Sequence, residues 1–107
     1  MIEIREYIDN VGRNHFGSWR TKLDAITRAR IDVVLDRLER GSTSVMKGVG
    51  AGVAELRLDF GPGYRIYCGR DGETLVILLV GGTKQRQQSD ITEAKSLWKQ
   101  YKQGKRS

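Results

Sequence analysis

The alternation of hydrophobic and polar positions divides this chain of 107 residues into strands and helices. Ile2 and Ile4 alternate with charged neighbours, which is the two-residue period of a short, half-buried strand. Residues 13–40 are predicted to be helical, in two pieces, because apolar positions recur at helical spacing at Ile31, Val34, Leu35 and Leu38. Gly41 stands where a left-handed residue would end that helix, and residues 42–52, with three glycines, are interpreted as a loop.

A second and a third strand follow in residues 54–68. Even-numbered positions from 54 to 60 are apolar and the odd-numbered positions between them are charged, so the two sets face opposite sides of a sheet. The Gly-Pro-Gly segment 61–63 then turns the chain back. A three-residue turn would place Phe60 opposite Tyr64, Asp59 opposite Arg65 and Arg57 opposite Tyr67. The arginines would then lie on the face of the sheet that points away from the core.

A fourth strand and a last helix complete the pattern. Residues 75–80 contain no polar side chain and are predicted to form a central strand that is covered on both faces. Asp90, with Glu93 three residues later, resembles a capping box that opens a helix with the buried stripe Ala94, Leu97, Trp98 and Tyr101. The order β-α-α-β-β-β-α predicts a single α+β domain over residues 1–107, a small antiparallel-rich sheet with helices packed on one face.

Positive charge is concentrated at the C-terminal end of the chain. The formal net charge is +6, from 19 Lys and Arg residues against 13 Asp and Glu residues. Residues 84–107 contain seven basic and two acidic residues, so this segment carries +5 of the total. Such asymmetry favours a nucleic acid or an acidic protein as the partner, although an ordinary basic surface would also explain it.

Cysteine usage and hydropathy indicate the cellular setting. Cys68 is the single cysteine, which excludes a disulfide framework within the chain and makes a reducing interior the simpler setting. We interpret Cys68 as a small core residue rather than a nucleophile. The apolar runs are shorter than the roughly 20 residues of a membrane span, and the first residues lack the pattern of a signal peptide. The protein is therefore expected in the cytoplasm, with no membrane partner.

The residues that could carry chemistry are mainly cationic. One histidine and one cysteine cannot supply a zinc site of ordinary ligand count, and the sequence contains no Gly-x-x-x-x-Gly-Lys-Ser/Thr loop, so no metal or cofactor is predicted. His15 is interpreted as a surface or helix-entry residue rather than a general base. Arg57 and Arg65 share one face of the predicted sheet, while Lys84 and Arg86 follow the neighbouring strand.

Such a group of cations suits the cleavage of RNA. Guanidinium groups present a planar fork of donors to phosphate and can stabilise the extra charge of a phosphorane-like transition state. RNA supplies its own nucleophile, the 2′-hydroxyl, so an enzyme needs alignment and charge stabilisation more than a metal. The structural alternative is that Arg65 pairs with Asp59 across the strands, and that Arg57 pairs with Glu55 or Asp59. The residues alone leave both interpretations open.

Several separated segments of the chain resemble one family, in the same order. They are residues 37–41 (RLERG), 45–50 (VMKGVG), 55–67 (ELRLDFGPGYRIY), 75–79 (LVILL) and 81–91 (GGTKQRQQSDI). The chain resembles the RelE/HigB-like toxins of bacterial type II toxin–antitoxin modules, and most closely the branch of the RelE/ParE superfamily called addiction module killer proteins. The resemblance implies a RelE-like fold with the same order of elements that the hydrophobic pattern predicts.

The resemblance also implies an activity and its partners. The expected function is that of an mRNA interferase, a metal-independent endoribonuclease that cleaves mRNA on the ribosome and halts translation until a cognate antitoxin neutralises it. The antitoxin is expected to be a helix-turn-helix protein encoded beside the toxin. Two alternatives remain. One is a gyrase-inhibiting toxin of the ParE type, and the other is a non-catalytic scaffold that only binds its antitoxin.

The same resemblance assigns roles to individual residues. Arg57, Arg65 and Lys84 match the basic residues that hold and polarise the scissile phosphate, and they are predicted to be catalytic. The predicted RNA-binding residues are Lys47, Tyr67 and Arg86. The best understood members place a Tyr or His after the basic loop for proton transfer, whereas this chain has Gln87, Gln88 and Ile91 in that region. Tyr67 is the residue that could substitute.

Overall fold

The structure is a computed structural model, and it describes residues 1–106. Three helices are formed, α1 (His15–Thr21), α2 (Ala25–Glu39) and α3 (Gln87–Arg106). The five strands are β1 (Glu3–Glu6), β2 (Lys47–Gly50), β3 (Val53–Leu58), β4 (Tyr64–Asp71) and β5 (Leu75–Thr83). Two short 3₁₀ turns, Thr43–Val45 and Lys84–Arg86, precede β2 and α3. The predicted α+β class, the first strand and the division of residues 13–40 into two helices are confirmed.

The strands form one sheet in the order β1-β5-β4-β3-β2. β1 runs parallel to β5, and the other neighbours are antiparallel, so the sheet is antiparallel-rich as predicted. β5 is an interior strand, as expected for residues 75–80, but β4 occupies the middle of the sheet. This difference arises because β2 adds a strand at the far edge.

β2 lies in the segment that was predicted to be a loop. Lys47 pairs with Glu55 and Gly48 with Ala54, and the register shifts before Gly50 pairs with Val53. An edge strand of this kind is specified by backbone hydrogen bonds to its neighbour. Because residues 48–52 contain three glycines, they lack the alternation of apolar and polar side chains from which a strand is predicted. The observed order is therefore β-α-α-β-β-β-β-α.

Helices cover both faces of the sheet, so the prediction of helices on one face is wrong. On one face, α1 and α2 contribute Phe16, Ile31 and Leu38 to a core with Leu56, Ile66, Val76 and Leu78. On the other face, α3 contributes Ala94, Leu97 and Trp98 to a second core with Val53, Tyr67, Ile77 and Leu79. Residues 76–79 of β5 therefore alternate between the two cores, which explains the unbroken apolar sequence of this strand. The buried stripe predicted for the last helix is confirmed.

The register of β3 and β4 differs from the predicted one. Arg57 lies opposite Arg65, Leu58 opposite Tyr64, and Glu55 opposite Tyr67. Strand pairing ends at the Leu58–Tyr64 pair, so residues 59–63 form a five-residue connection instead of the predicted three-residue turn. Within it the Gly63 N–H donates to the Phe60 carbonyl at 2.9 Å, closing a turn. The glycines at 61 and 63 have φ of +55° and +79°, which glycine adopts readily.

Both predicted helix ends can be compared with the structure. Gly41 has φ +106°, and its N–H donates to the Leu38 carbonyl at 2.9 Å, as expected for a left-handed residue after a helix. The capping box predicted at Asp90 is wrong, because α3 already begins at Gln87. Asp90 therefore lies in the first turn of α3 and points inward, where it is buried.

Candidate functional site

Three of the predicted cations meet at one end of the sheet. Arg57 and Arg65 are direct neighbours on β3 and β4, because they are opposite in register. The Lys84 N–H donates to the Gly63 carbonyl at 2.9 Å, which holds the Lys84–Arg86 turn beside the β3–β4 connection. Together with residues 59–63, the three side chains line a shallow cleft of about 270 Å³, which we call the sheet cleft. The structure thus brings together the residues that were predicted to be catalytic.

Arg65 is buried and its charge is poorly paired. Its side chain is 1% exposed, Nη1 donates to the Tyr64 carbonyl at 3.0 Å, and Nε has no hydrogen-bond partner in the described structure. The nearest carboxylate is Asp59, whose Oδ1 lies 3.9 Å from Nη1 on a side chain that is 78% exposed. A buried charge is normally hydrogen-bonded and paired. The contact with Asp59 is too long for a hydrogen bond, and Asp59 is too exposed to solvent to neutralise the buried guanidinium effectively.

Arg57 increases the positive potential of the sheet cleft. Its side chain is exposed and forms no ion pair with any residue of the described chain, so the structural alternative of a pair with Glu55 or Asp59 is not seen. Instead, Arg57 lies opposite Arg65, an arrangement of like charges that destabilises a sheet. Two arginines placed together, with Asp59 as the carboxylate among the residues that line the cleft, leave a net positive charge that an anion can neutralise.

The three residues that were predicted to bind RNA do not line the sheet cleft. Tyr67 is 0% exposed, and burial raises its pKa to about 12, with smaller contributions from Glu55 and Asp90 that Arg65 opposes. Direct contact between Tyr67 and RNA is therefore incompatible with this structure, and so is its role as a ready proton donor. Lys47 is exposed on β2 opposite Glu55, and Arg86 lines a different cleft, between α1 and α3.

The sequence interpretation missed a buried polar cluster under the first turn of α3. Glu55 is 3% exposed and accepts a hydrogen bond of 3.1 Å from Gln87 Nε2. Asp90 is 7% exposed, and its Oδ2 has no partner within residues 1–106. A Cβ on Gly82 would overlap the Asp90 carboxylate, so the glycine makes room for it. Glu55 had looked like a surface residue because the sequence does not show that α3 covers this face.

Asp90 is expected to destabilise the fold at neutral pH. Burial raises its pKa, Arg86 opposes this shift, and Glu93 adds to it. A raised carboxyl pKa means that the folded state holds the proton more tightly, so stability falls as the pH rises through that pKa. We expect Asp90→Asn to raise the urea midpoint at pH 7 and to leave it nearly unchanged near pH 3. The exposed Asp59→Asn variant is the control, and an equal gain at both pH values would contradict this assignment.

The surroundings of the single histidine and the single cysteine indicate structural roles for both residues. His15 begins α1, as expected for a helix-entry residue, and its Nε2 lies 2.8 Å from Asp9 Oδ2. Cys68 lies in the core, and burial raises its pKa to about 12, which keeps the thiol protonated. Within residues 1–106, no three His, Cys, Asp or Glu side chains are grouped as metal ligands. None of the helices in that range is long and apolar enough to cross a membrane.

Comparison with known proteins identifies the family. Residues 18–102 match the model of the family described as phage derived protein Gp49-like (DUF891). The chain belongs to the Gp49-like family. All three residues of the sheet cleft that were predicted to be catalytic fall within the matched range. The Gp49-like family is one of addiction module killer proteins, and membership indicates the toxin of a toxin–antitoxin module, which implies an antitoxin partner.

One relative extends the comparison to a bacterial genome. An uncharacterized protein of Haemophilus influenzae is 43% identical to this Gp49-like chain over 83 residues, covering 77% of this chain and 84% of the relative. No solved structure is significantly similar to the chain. The functional proposal therefore depends on the family and on the geometry of the site.

Proposed function

We propose that this Gp49-like protein is the toxin of a type II toxin–antitoxin module and inhibits translation by cleaving mRNA on the ribosome. The observation that carries the proposal is the buried and poorly paired guanidinium of Arg65, next to Arg57 and Lys84 in one cleft. Family membership supports the toxin role, and the resemblance to RelE/HigB-like toxins supports a RelE-like fold, the cytoplasmic setting and the ribosome as the place of action.

The sheet cleft suits a phosphodiester that is attacked by its own 2′-hydroxyl. In this reaction the 2′-oxygen forms a bond to phosphorus, the bond to the 5′-oxygen of the next nucleotide breaks, and charge grows on the non-bridging oxygens. Arg65 lies buried in the sheet beneath the cleft, while Arg57 and Lys84 are exposed at its rim. Donors fixed before the reaction stabilise such charge without reorganising. Lys47 and Arg86, outside the cleft, would contact the RNA backbone.

Induction of this chain alone, followed by pulse labelling, tests the proposal. Early loss of protein synthesis together with new ends in ribosome-bound mRNA is the expected result. Early loss of DNA synthesis would instead indicate the gyrase-inhibiting alternative, and continued growth would indicate a scaffold that only binds its antitoxin. One observation favours the scaffold alternative: Tyr67, the candidate for proton transfer, is buried. Arg57→Ala and Lys84→Ala, which remove cations of the sheet cleft, should weaken the arrest. Lys99→Ala, at an exposed residue of α3, is their matched control.

The antitoxin is expected to bind through an acidic segment. The C-terminal segment 84–107 carries +5, and the exposed lysines Lys99 and Lys102 of α3 have no carboxylate partner in the described chain. Lys105 contributes less to the attraction of an acidic segment, because its Nζ lies 2.7 Å from Asp71 Oδ2. Association with a helix-turn-helix antitoxin should therefore slow as salt is added. Stopped-flow measurements of wild type and the Lys99→Ala/Lys102→Ala variant test this, and rates independent of ionic strength would contradict it.

A further inference from the structure

We propose that the cleft between α1 and α3 binds one nucleotide of single-stranded RNA, with its flanking phosphates near Arg13, Lys22 and Arg86 and the base against Trp19. This cleft, which we call the helix cleft, measures about 530 Å³ and is separate from the sheet cleft. The inference rests on the proposed function for its substrate class, RNA. It adds a second recognition site, and it can be tested without cleavage.

The helix cleft exists because β5 is longer than its parallel neighbour. β1 pairs with β5 only as far as the Glu6–Leu78 pair, and β5 continues to Thr83. Along this extension Gly81 and Gly82 have no side chains, so α1 and α3 approach the strand closely from opposite faces. A Cβ on Gly81 would overlap the indole of Trp19, and one on Gly82 would overlap the carboxylate of Asp90. The two glycines thus shape the cleft and place an aromatic ring and a carboxylate beside it.

Three exposed cations surround this cleft. Arg13 precedes α1, Lys22 follows it, and Arg86 belongs to the turn before α3. All three side chains are exposed, and none has an ion-pair partner among residues 1–106. By contrast, Arg20 on the same helix is paired, with Nη2 2.6 Å from Asp32 Oδ2. Cations that line one cleft from separate segments, outside ion-pair distance of a carboxylate, are suited to contact phosphates.

The helix cleft also carries acceptors. Asp90 and Glu93 line it from α3, and His15 lies between Asp9 Oδ2 at 2.8 Å and Glu93 Oε1 at 3.8 Å. The exposed Glu93 carboxylate repels a phosphate and can accept a hydrogen bond from the amino group of a base. The partly exposed Trp19 ring supplies a surface on which an unstacked base can lie. A cleft lined by exposed cations, carboxylates and an indole matches a nucleotide better than a simple polyanion.

The two clefts adjoin the same short turn. Lys84 lines the sheet cleft and Arg86 lines the helix cleft, although only one residue separates them. An RNA strand that crosses the Lys84–Arg86 turn would therefore engage both clefts at once. The helix cleft would hold a nucleotide adjacent to the cleavage site and so contribute to the choice of sequence.

Nuclear magnetic resonance titration of the whole protein tests the inference. The probe is a 2′-O-methyl RNA hexamer of mixed sequence, which cannot be cleaved because its 2′-hydroxyls are blocked. We expect the amide signals of Gly81 and Gly82 and the indole signal of Trp19 to shift. The Arg13→Ala/Lys22→Ala variant should bind about tenfold more weakly, since two phosphate contacts are removed. The Lys99→Ala/Lys102→Ala variant removes the same charge from α3 and should bind nearly as wild type.

Two results would overturn the inference. One is a titration in which only signals of residues 61–63 shift, since RNA would then occupy the sheet cleft alone. The other is an equal loss of affinity in both double variants, which would indicate unspecific attraction to basic surface. The proposed function fails separately, if ribosomes and mRNA show no cleavage while the hexamer still shifts Gly81, Gly82 and Trp19.

Discussion

Replacement of Arg65 by methionine is expected to abolish growth arrest while leaving the protein as stable as wild type or more stable. Methionine fills much of the volume of the arginine side chain and needs no hydrogen bonds. Arg65 is buried with an unpartnered Nε and only a distant carboxylate. Replacing buried ionic groups by apolar side chains of similar volume is often neutral or stabilising. Loss of activity could then not be attributed to unfolding.

The expected loss of activity follows from the chemistry of the sheet cleft. Removing one preorganised donor to a developing oxyanion typically costs about 2.7–4 kcal/mol of barrier, or roughly 10²–10³ in rate. Arg65→Lys should restore activity only in part, because an ammonium group cannot reproduce the planar fork. The alternation of the sequence placed Arg65 on the face that points away from the core, where Arg65→Ala would be the natural test. The structure corrects this, since alanine would leave a cavity at a fully buried side chain.

The experiment combines urea unfolding with a growth assay and a cleavage assay on ribosomes. Arg37→Met, at an exposed arginine of α2, is the matched control and should remain fully toxic. A stable and fully toxic Arg65→Met protein would refute the catalytic role. A protein that is both inactive and strongly destabilised would instead support the structural interpretation, in which Arg65 maintains the fold.

Most secondary structure was predictable because its signals are local. The alternation in residues 54–60 and the helical spacing from Ile31 to Leu38 each lie within one element. β2 and the β3–β4 register were not predictable in the same way. The first depends on pairing with β3, and the second on where pairing stops before the glycine-rich connection. The placement of α3 on the second face is also a non-local property, since α3 follows all the strands it covers.

The candidate site was predictable in its members and not in its environment. Arg57 and Arg65 were expected on one face because both occupy alternate positions of neighbouring strands, and the structure places them side by side. The burial of Arg65 and the exposure of Arg57 depend instead on which elements cover each strand. The same applies to Asp90, whose sequence resembles a helix cap but whose side chain packs against Gly82. These features depend on which distant segments pack against each side chain. A single sequence contains no direct signal for such contacts.

Trp98→Ala is expected to have the largest effect on stability. The indole is 5% exposed, lies parallel to the Tyr101 ring at a centroid distance of 5.0 Å, and packs on Gly69 of β4. Truncating a buried tryptophan costs about 3–5 kcal/mol, a large share of the roughly 5–15 kcal/mol that stabilises a domain. The melting temperature should therefore fall by at least about 10 °C.

Two further variants show whether the contact with the sheet is responsible. A Cβ on Gly69 would overlap the Trp98 ring, so Gly69→Ala should also destabilise the wild-type protein. In the Trp98→Ala background the same change meets an empty space, and its cost should largely disappear, because the two residues act through one contact. Lys99→Ala, next to Trp98 but exposed, should leave the melting temperature within about 2 °C. Additive effects of Gly69→Ala and Trp98→Ala would show that α3 does not pack on β4 through this pair.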